Sequence, residues 1–536
     1  MSQVRSARQN VAIEWGYSSG KTYADAFNDV EMDVVFRHSG GGEWRVPCYW
    51  AGEQEWRVRF APPEPGSYTY RSMCSDAGNA DLHGVDGRLE ATPYDGQNPI
   101  LRHGPLRVSA DHRYLEHRDG APFFWLGDTW WMALARRLGW PDDFQTLAAH
   151  RVAQGFTLIQ IVAGPHPDMP AFDPRNANEA GQPWEEGWAR INPAFYDVAD
   201  LKMQWLVRSG LVPCILACWG YYLPWMGVEK LKQHWRYLVA RYGAYPVVWC
   251  LAGEATMPWY LSADREADAQ AQRQGWTEVG RYLRSVDPYG HPITIHPTVY
   301  GRDQVNDESV LDLDMLQTGH GGHPVMLRAA ALVQKAVARQ PKMPVVNGEV
   351  CYEGNLETAR QEVQRFLFWS NFLSGVAGFT YGANGIFQFN SEGEVFGPSP
   401  HGGAWGNMLW REAYRWPGAT QIAIGKRLLE RFEWWRLEPH QEWVEPCAAE
   451  PDYFRPYAAG IPGKLRLVYL PGAVAPWSAP VHVKRLEAGV AYSASFFDPT
   501  NGREHPIGRV TPDASGSWRI PTPPIIQDWV VVLERE

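Results

Sequence analysis

Between residues 120 and 435 the chain repeats one rhythm: a short apolar run, a polar loop, then a stretch with helical periodicity. The runs lie at 123–126, 157–162, 212–217, 247–251, 293–295, 315–317, 345–346 and 378–381. Strands this apolar are covered on both faces, which is the condition of a parallel sheet. Parallel strands need crossover connections, and helical stretches such as 194–208, stopped by Gly210, and 356–374, followed by Gly375, supply them. Eight such units over about 315 residues predict an α/β fold, a (β/α)8 barrel of the TIM type.

The flanks read differently. Residues 8–95 hold short alternating runs at 30–36 and 56–60, and a Pro/Gly turn at 63–66 that feeds another strand. That pattern predicts an immunoglobulin-like β-sandwich. Residues 96–104 read as a linker, and 106–108 with 114–116 as a hairpin leading into the barrel. Strands return at 465–470, 491–497, 516–520 and 529–533. A chain of 536 residues is too long for one core. The expected layout is an N-terminal sandwich over 1–97, a catalytic barrel over 98–437 and a C-terminal sandwich over 438–536.

A net charge of −10 argues against a nucleic-acid partner. No apolar run reaches the ~18 residues of a membrane span. The first ten residues have no apolar segment after their basic ones, so no secretory signal is read. Seven scattered cysteines without a CxxC pattern suit a reducing, cytoplasmic setting. The composition is compatible with a homo-oligomer. There is no GxSxG elbow, P-loop or HExxH motif. A metal held by His320 and His323 is the weaker reading of the Gly-rich segment 319–323, and the expected chemistry needs no cofactor. The abnormal number is aromatic: 27 Trp, 24 Tyr and 20 Phe. Flat apolar faces with polar edges suit the C–H faces of sugars, although most such rings fill cores.

Two of the runs end on glutamate, at Leu-Ala-Gly-Glu254 and Val-Val-Asn-Gly-Glu349. Barrel enzymes keep their chemistry at the C-terminal ends of the strands, and paired carboxylates flanking one bond hydrolyse glycosides. Glu254 precedes an aromatic loop containing Trp259; desolvation there favours the protonated form, as a general acid requires. Glu349 is the expected nucleophile, with Glu353 a competitor four residues on. Each also has a structural reading, at a helix N-terminus or in an ion pair. Asp128, just past the first run, is a candidate acceptor for sugar hydroxyls or a helix cap, with Trp130 and Trp131 as pocket walls. His166, Trp219, Tyr221, His296, His320, Tyr381 and Asn384 fall at the other expected strand ends and are candidate substrate contacts.

The stretches Phe-Phe-Trp-Leu-Gly-Asp128-Thr-Trp130-Trp131, Leu-Ala-Gly-Glu254 and Asn-Gly-Glu349-Val-Cys-Tyr-Glu353-Gly together resemble the apiosidase-like family of bacterial glycoside hydrolases. The resemblance spans nearly the whole chain. It implies a barrel with acid/base and nucleophile at the ends of strands four and seven, here Glu254 and Glu349, hence a retaining glycosidase acting on a glycoside or oligosaccharide, with furanosides a candidate class. It also implies a C-terminal β domain with a collagen-binding label, for which this sequence offers no physical basis. Two positions depart from the pattern. Gly253 stands where related retaining barrels carry an asparagine that holds a sugar 2-hydroxyl. Glu254 stands where family members often carry aspartate, and one extra methylene moves the proton donor by about 1.5 Å. Two non-enzymatic readings compete: a carbohydrate-binding protein on a barrel scaffold, and a matrix-adhesion module. The presence of both acids speaks against the first and the missing export signal against the second.

Overall fold

The computed structural model describes residues 4–355, 358–472 and 480–536. Its centre is a closed parallel sheet of β1 (Trp125–Thr129), β2 (Leu158–Val162), β3 (Val212–Leu216), β4 (Val248–Cys250), β5 (Ile293–Thr294), β6 (Asp314–Gln317), β7 (Val345–Glu349) and β8 (Gly378–Tyr381). Hydrogen-bonded neighbours run β5-β4-β3-β2-β1-β8-β7-β6. At the remaining seam the Asp312 N–H donates to the Ile293 carbonyl at 2.8 Å and the Thr294 hydroxyl to the Leu313 carbonyl at 3.0 Å, so the sheet is a barrel. Every residue of the eight strands is buried, which is why the runs are continuously apolar rather than alternating.

The outer helices are α1 (Asp142–Gln154), α2 (Pro193–Arg208), α3 (Val228–Tyr242), α4 (Arg265–Val286), α5 (Val325–Val337), α6 (Gln361–Phe372) and α7 (Pro417–Leu429). Helix α2 shows the local logic. Asn192 caps it by accepting from the Ala194 N–H, Pro193 fills the first turn where no N–H is needed, and Phe195, Tyr196, Ala199, Met203 and Leu206 form the buried stripe. Gly210, at φ +80°, turns the chain toward β3.

Two elements differ from expectation. The first barrel strand begins at Trp125 rather than 123, because Pro122–Phe123 is a separate antiparallel strand paired with Leu115–His117. With Leu106–Val108 it completes a three-stranded sheet where a two-stranded hairpin was expected. Helix α6 begins at Gln361; residues 356 and 357 of the expected helix lie outside the described residues.

On the N-terminal side a five-stranded and a three-stranded sheet enclose Trp15, Phe36, Trp56, Phe60 and Tyr70, with Phe36 and Phe60 stacked at 3.8 Å. This unit meets the barrel through aromatic packing, Phe60 on Tyr289 and Tyr49 on Tyr237, and through charge. Arg59 and Arg241 share Asp200 at 2.7 and 3.0 Å, and Arg236 pairs with Asp33. On the C-terminal side a six-stranded and a three-stranded sheet meet α6 mainly through aromatic faces, Phe366 on Phe454 and Trp369 on Tyr469. The buried Arg365–Asp528 pair at 2.6 Å anchors that junction. Among the described residues no helix is long and apolar enough to cross a membrane, and the cysteines are free thiols.

Candidate active site

At the C-terminal mouth of the barrel a cleft of about 420 Å³ is lined by Trp131, Pro167, Asp168, Trp219, Glu254, Tyr260, His320, Glu349, Tyr352, Phe387 and Trp405. The strands β4 and β7 deliver its two glutamates by different means. Glu349 is the last residue of β7 and is 4% exposed. Glu254 lies beyond β4, on a segment that continues the ladder pattern: Leu251 N–H donates to Thr294 O, Gly253 N–H to Cys218 O and Ala255 N–H to His296 O. Glu254 itself adopts φ +42°, a left-handed backbone rare for a residue with a side chain. Such strain persists only where surrounding bonds over-determine the conformation, and it concentrates at functional sites.

The environments of the two carboxyls are opposed. Burial works to raise the Glu349 pKa, but the imidazoles of His296 and His320 outweigh it and hold this group far below the ordinary glutamate range. His296 Nε2 lies 2.7 Å from Oε2 and His320 Nε2 lies 3.0 Å from Oε1. Both ring nitrogens are within hydrogen-bonding reach of the carboxylate, and these contacts, more than charge at a distance, favour its ionised form. The Tyr352 hydroxyl donates directly to Glu349 Oε1 and receives the Trp131 indole N–H at 2.8 Å. His320 is pushed up: burial opposes its charge, but Glu349 more than compensates. Glu254 is pushed up by burial first and by the Glu349 charge second. The Gln317 amide donates to Glu254 Oε1 at 3.0 Å and the Trp219 indole to Oε2 at 3.1 Å.

Gly253 has a visible cause here. A Cβ at that position would lie 2.1 Å from the Trp219 ring, so the indole occupies the space an asparagine side chain would need. Trp131 packs edge-on against Trp219 and His296, at 5.5 and 5.2 Å. The loop carrying Trp131 is tied down from behind by the buried Lys202 ammonium, which donates to the carbonyls of Ala133, Ala135 and Leu138.

Of the sequence-derived candidates, Glu254, Glu349, Trp131, Trp219 and His320 line the cleft, and His296 sits directly behind Glu349. The others do not reach it. Asp128 lies inside β1 rather than past it. It is fully buried and accepts from the Thr129 N–H, the Trp130 indole and Arg151, so its oxygens are engaged beneath the site. Trp130 therefore points inward and packs on Phe144. His166 is buried with its Nδ1 on Asn176, and burial lowers its pKa to about 4. Tyr221 donates to the Met169 carbonyl, and Trp259 packs against Tyr221 and Trp225. Glu353 turns away, accepting from the Tyr381 hydroxyl at 2.6 Å and from the Gly418 N–H. Asn384 is held by its backbone N–H to the Glu353 carbonyl. Sequence reasoning passed over Asp168, Tyr260, Gln317, Phe387 and Trp405. Asp168 and Tyr260 each neighbour a residue it did select, Gln317 closes the expected run 315–317 and β6, and Phe387 and Trp405 sit in a segment with no local signature.

The family model described as "Apiosidase-like, catalytic domain" matches residues 109–436, more than half of the chain, and a domain of unknown function, DUF5060, matches residues 8–75. No curated protein matches the sequence. Among solved structures, a protein described as a glycoside hydrolase aligns with TM-score 0.64 and 23% identity over 82% of this chain and 98% of its own. A glycoside hydrolase family 5 protein from Bacteroides vulgatus aligns with TM-score 0.66 and 23% identity over 82% and 94%. A provisionally assigned glycoside hydrolase from the same organism, at 18% identity and TM-score 0.69, spans 99% of this chain and all of its own, so the three-part architecture recurs as a whole. At these identities the likeness is one of fold, and it is the family match over the barrel that classifies the sequence. The chain belongs to the apiosidase-like family of glycoside hydrolases.

Proposed function

We propose that this protein is a retaining glycosidase in which Glu349 is the nucleophile and Glu254 the acid/base. One observation carries the reading: a buried carboxyl, Glu349, and a half-buried one, Glu254, share one cleft and are biased toward opposite protonation states. An acid and a nucleophile must differ in this way at the same pH. Ionised Glu349 attacks the anomeric carbon while protonated Glu254 gives its proton to the leaving oxygen. The resulting glycosyl ester is then hydrolysed by a water that Glu254, now a carboxylate, deprotonates. The Trp131–Tyr352–Glu349 chain fixes the nucleophile, so little reorganisation accompanies attack. Trp131, Trp219 and His320 are the proposed substrate contacts. None of these steps asks for a redox or metal group.

The Trp219 indole in place of a side-chain amide at position 253 removes the usual pyranoside 2-hydroxyl contact, so furanosides stand beside pyranosides as substrates to test. Aryl furanosides and pyranosides tested side by side decide the ring form. On the best substrate, proton NMR of the first-formed sugar should show the substrate's own anomer, and a 2-deoxy-2-fluoroglycosyl inactivator should label the peptide carrying Glu349. The inverted anomer, or a label elsewhere, rejects the assignment.

A further inference from the structure

Asp168, on the loop after β2, is a third carboxyl in the cleft and has no role in the mechanism above. It is 6% exposed and adopts φ +58°, again the left-handed region. Its loop is pinned beneath by Tyr221 and Tyr222, whose hydroxyls donate to the Met169 carbonyl at 3.0 and 3.3 Å. Two donors hold the carboxyl, Tyr260 at 2.6 Å and Ser399 at 3.1 Å, and both bind the same oxygen, Oδ1. Among the described residues Oδ2 receives no well-formed hydrogen bond. The Trp405 indole faces this carboxyl, yet its N–H is buried without a partner. An acceptor with spare capacity and an orphaned donor thus border one space. Leaving the buried N–H unsatisfied is costly, and Oδ2 at the cleft has room for a further donor. A hydroxyl group, which donates and accepts at once, satisfies both.

Resting on the hydrolase reading of the same cleft, we propose that Asp168 Oδ2 and Trp405 Nε1 bind a non-reacting hydroxyl of the sugar whose glycosidic bond is cleaved, and that the site selects neutral, unsubstituted sugars over uronic acids. The hydroxyl donates to Oδ2 and accepts from Nε1. A sugar carboxylate in that place would face the Asp168 carboxyl directly and share the cleft with Glu349, and it would lack the proton that the hydroxyl donates to Oδ2, a loss that the nearby His320 and His401 imidazoles do not replace. An O-substituted sugar would lose the donor to Oδ2.

The test separates this site from the catalytic one. In the full chain carrying Glu349→Gln, which keeps turnover off, D-apiose, L-arabinose, D-galactose and D-galacturonic acid are titrated calorimetrically. At least one neutral sugar should bind at least tenfold tighter than galacturonic acid. Adding Asp168→Asn, which keeps Oδ1 as an acceptor but replaces Oδ2 by a donor, should weaken that sugar about 10- to 100-fold. Tyr260→Phe, which loosens the loop but leaves Oδ2, should weaken it less than fivefold. Unchanged binding in Asp168→Asn, equal binding of galacturonic acid, equal losses in Asp168→Asn and Tyr260→Phe, or no neutral-sugar binding each overturns the proposal. The hydrolase reading is judged separately, by turnover of the wild-type chain against Glu349→Gln on aryl glycosides.

Discussion

The ends of β4 and β7 deliver the same side chain to the same cleft in contrasting ways. Glu349 is held by the sheet: it is the fifth residue of β7 and pairs with Gln317 across a one-residue bulge at Gly348, with Tyr352, His296 and His320 around its oxygens. Glu254 is held by a strained turn four residues past the last residue of β4, with two neutral donors, Gln317 and Trp219. The first environment is cationic and the second is dry. A family of folds that must ionise one carboxyl and protonate another can therefore use one residue type twice, because the surroundings and not the residue set the proton. The strain at Glu254 also means that its position is bought by the surrounding bonds rather than by strand geometry.

The sharpest way to break this comparison is to neutralise each end in turn. Glu349→Gln should lower kcat on the order of 10⁵-fold, the scale of losing a covalent nucleophile. Glu254→Gln should cost about 10²–10⁴-fold on an alkyl glycoside. With a dinitrophenyl leaving group, which needs no proton, the first step of Glu254→Gln should recover and a burst should appear. Equal losses on both leaving groups would mean that the two roles are not divided as described.

A third strand end supplies a control. Asp128 of β1 and Arg151 of α1 form an ion pair with both side chains fully buried. Asp128→Asn leaves the guanidinium unpaired and should destabilise the protein by about 3–5 kcal/mol, read by urea unfolding. The KM of the folded fraction should stay within threefold. A selective rise in KM without loss of stability would restore Asp128 to the substrate.

Next comes pH. In the proposed mechanism Glu349 is ionised and Glu254 protonated, so activity should fall on the acid side as Glu349 takes a proton and on the alkaline side as Glu254 loses one. With Glu349 lowered and Glu254 raised from the usual glutamate value, the window opens in both directions. His320→Gln removes positive charge beside Glu349, so its pKa rises and the acid limb should move to higher pH, with kcat falling about 10- to 100-fold. The two limbs are properties of the coupled pair, and their relative displacement is the readout. An acid limb that stays in place would show that the imidazole does not set the nucleophile's charge.

The barrel was legible because burial on both faces leaves a signal in every strand, and eight apolar runs in rhythm admit few folds. The strand ends followed, and with them Glu254 and Glu349. The loops did not. Sequence reasoning chose His166 and Trp259, whereas the cleft takes Asp168 and Tyr260, two residues and one residue further on. A strand alternates with period two, so its facing residues can be counted; a loop's facing residues depend on turns such as the left-handed backbone at Asp168, which tertiary bonds impose. Phe387 and Trp405 come from the long segment after β8 and carry no pattern at all. Asp128 misled for the opposite reason: the strand extends three residues beyond the apolar run, so a residue counted as past the end is inside it.

The smallest expected effect tests the dry side of the comparison. Gln317, the last residue of β6, donates to Glu254 Oε1, and donation to a carboxylate favours its charged form. Gln317→Met keeps the length of the side chain and removes the donor. Glu254 should then hold its proton to higher pH, because burial and the Glu349 charge would act with less opposition. The alkaline limb of kcat/KM should move up while the acid limb stays, the mirror image of His320→Gln, with kcat falling less than about tenfold. If instead both limbs move together, the two carboxyls titrate as one unit through the Gln317 contact with His320, at 3.4 Å, and the division into a cationic end and a dry end is wrong.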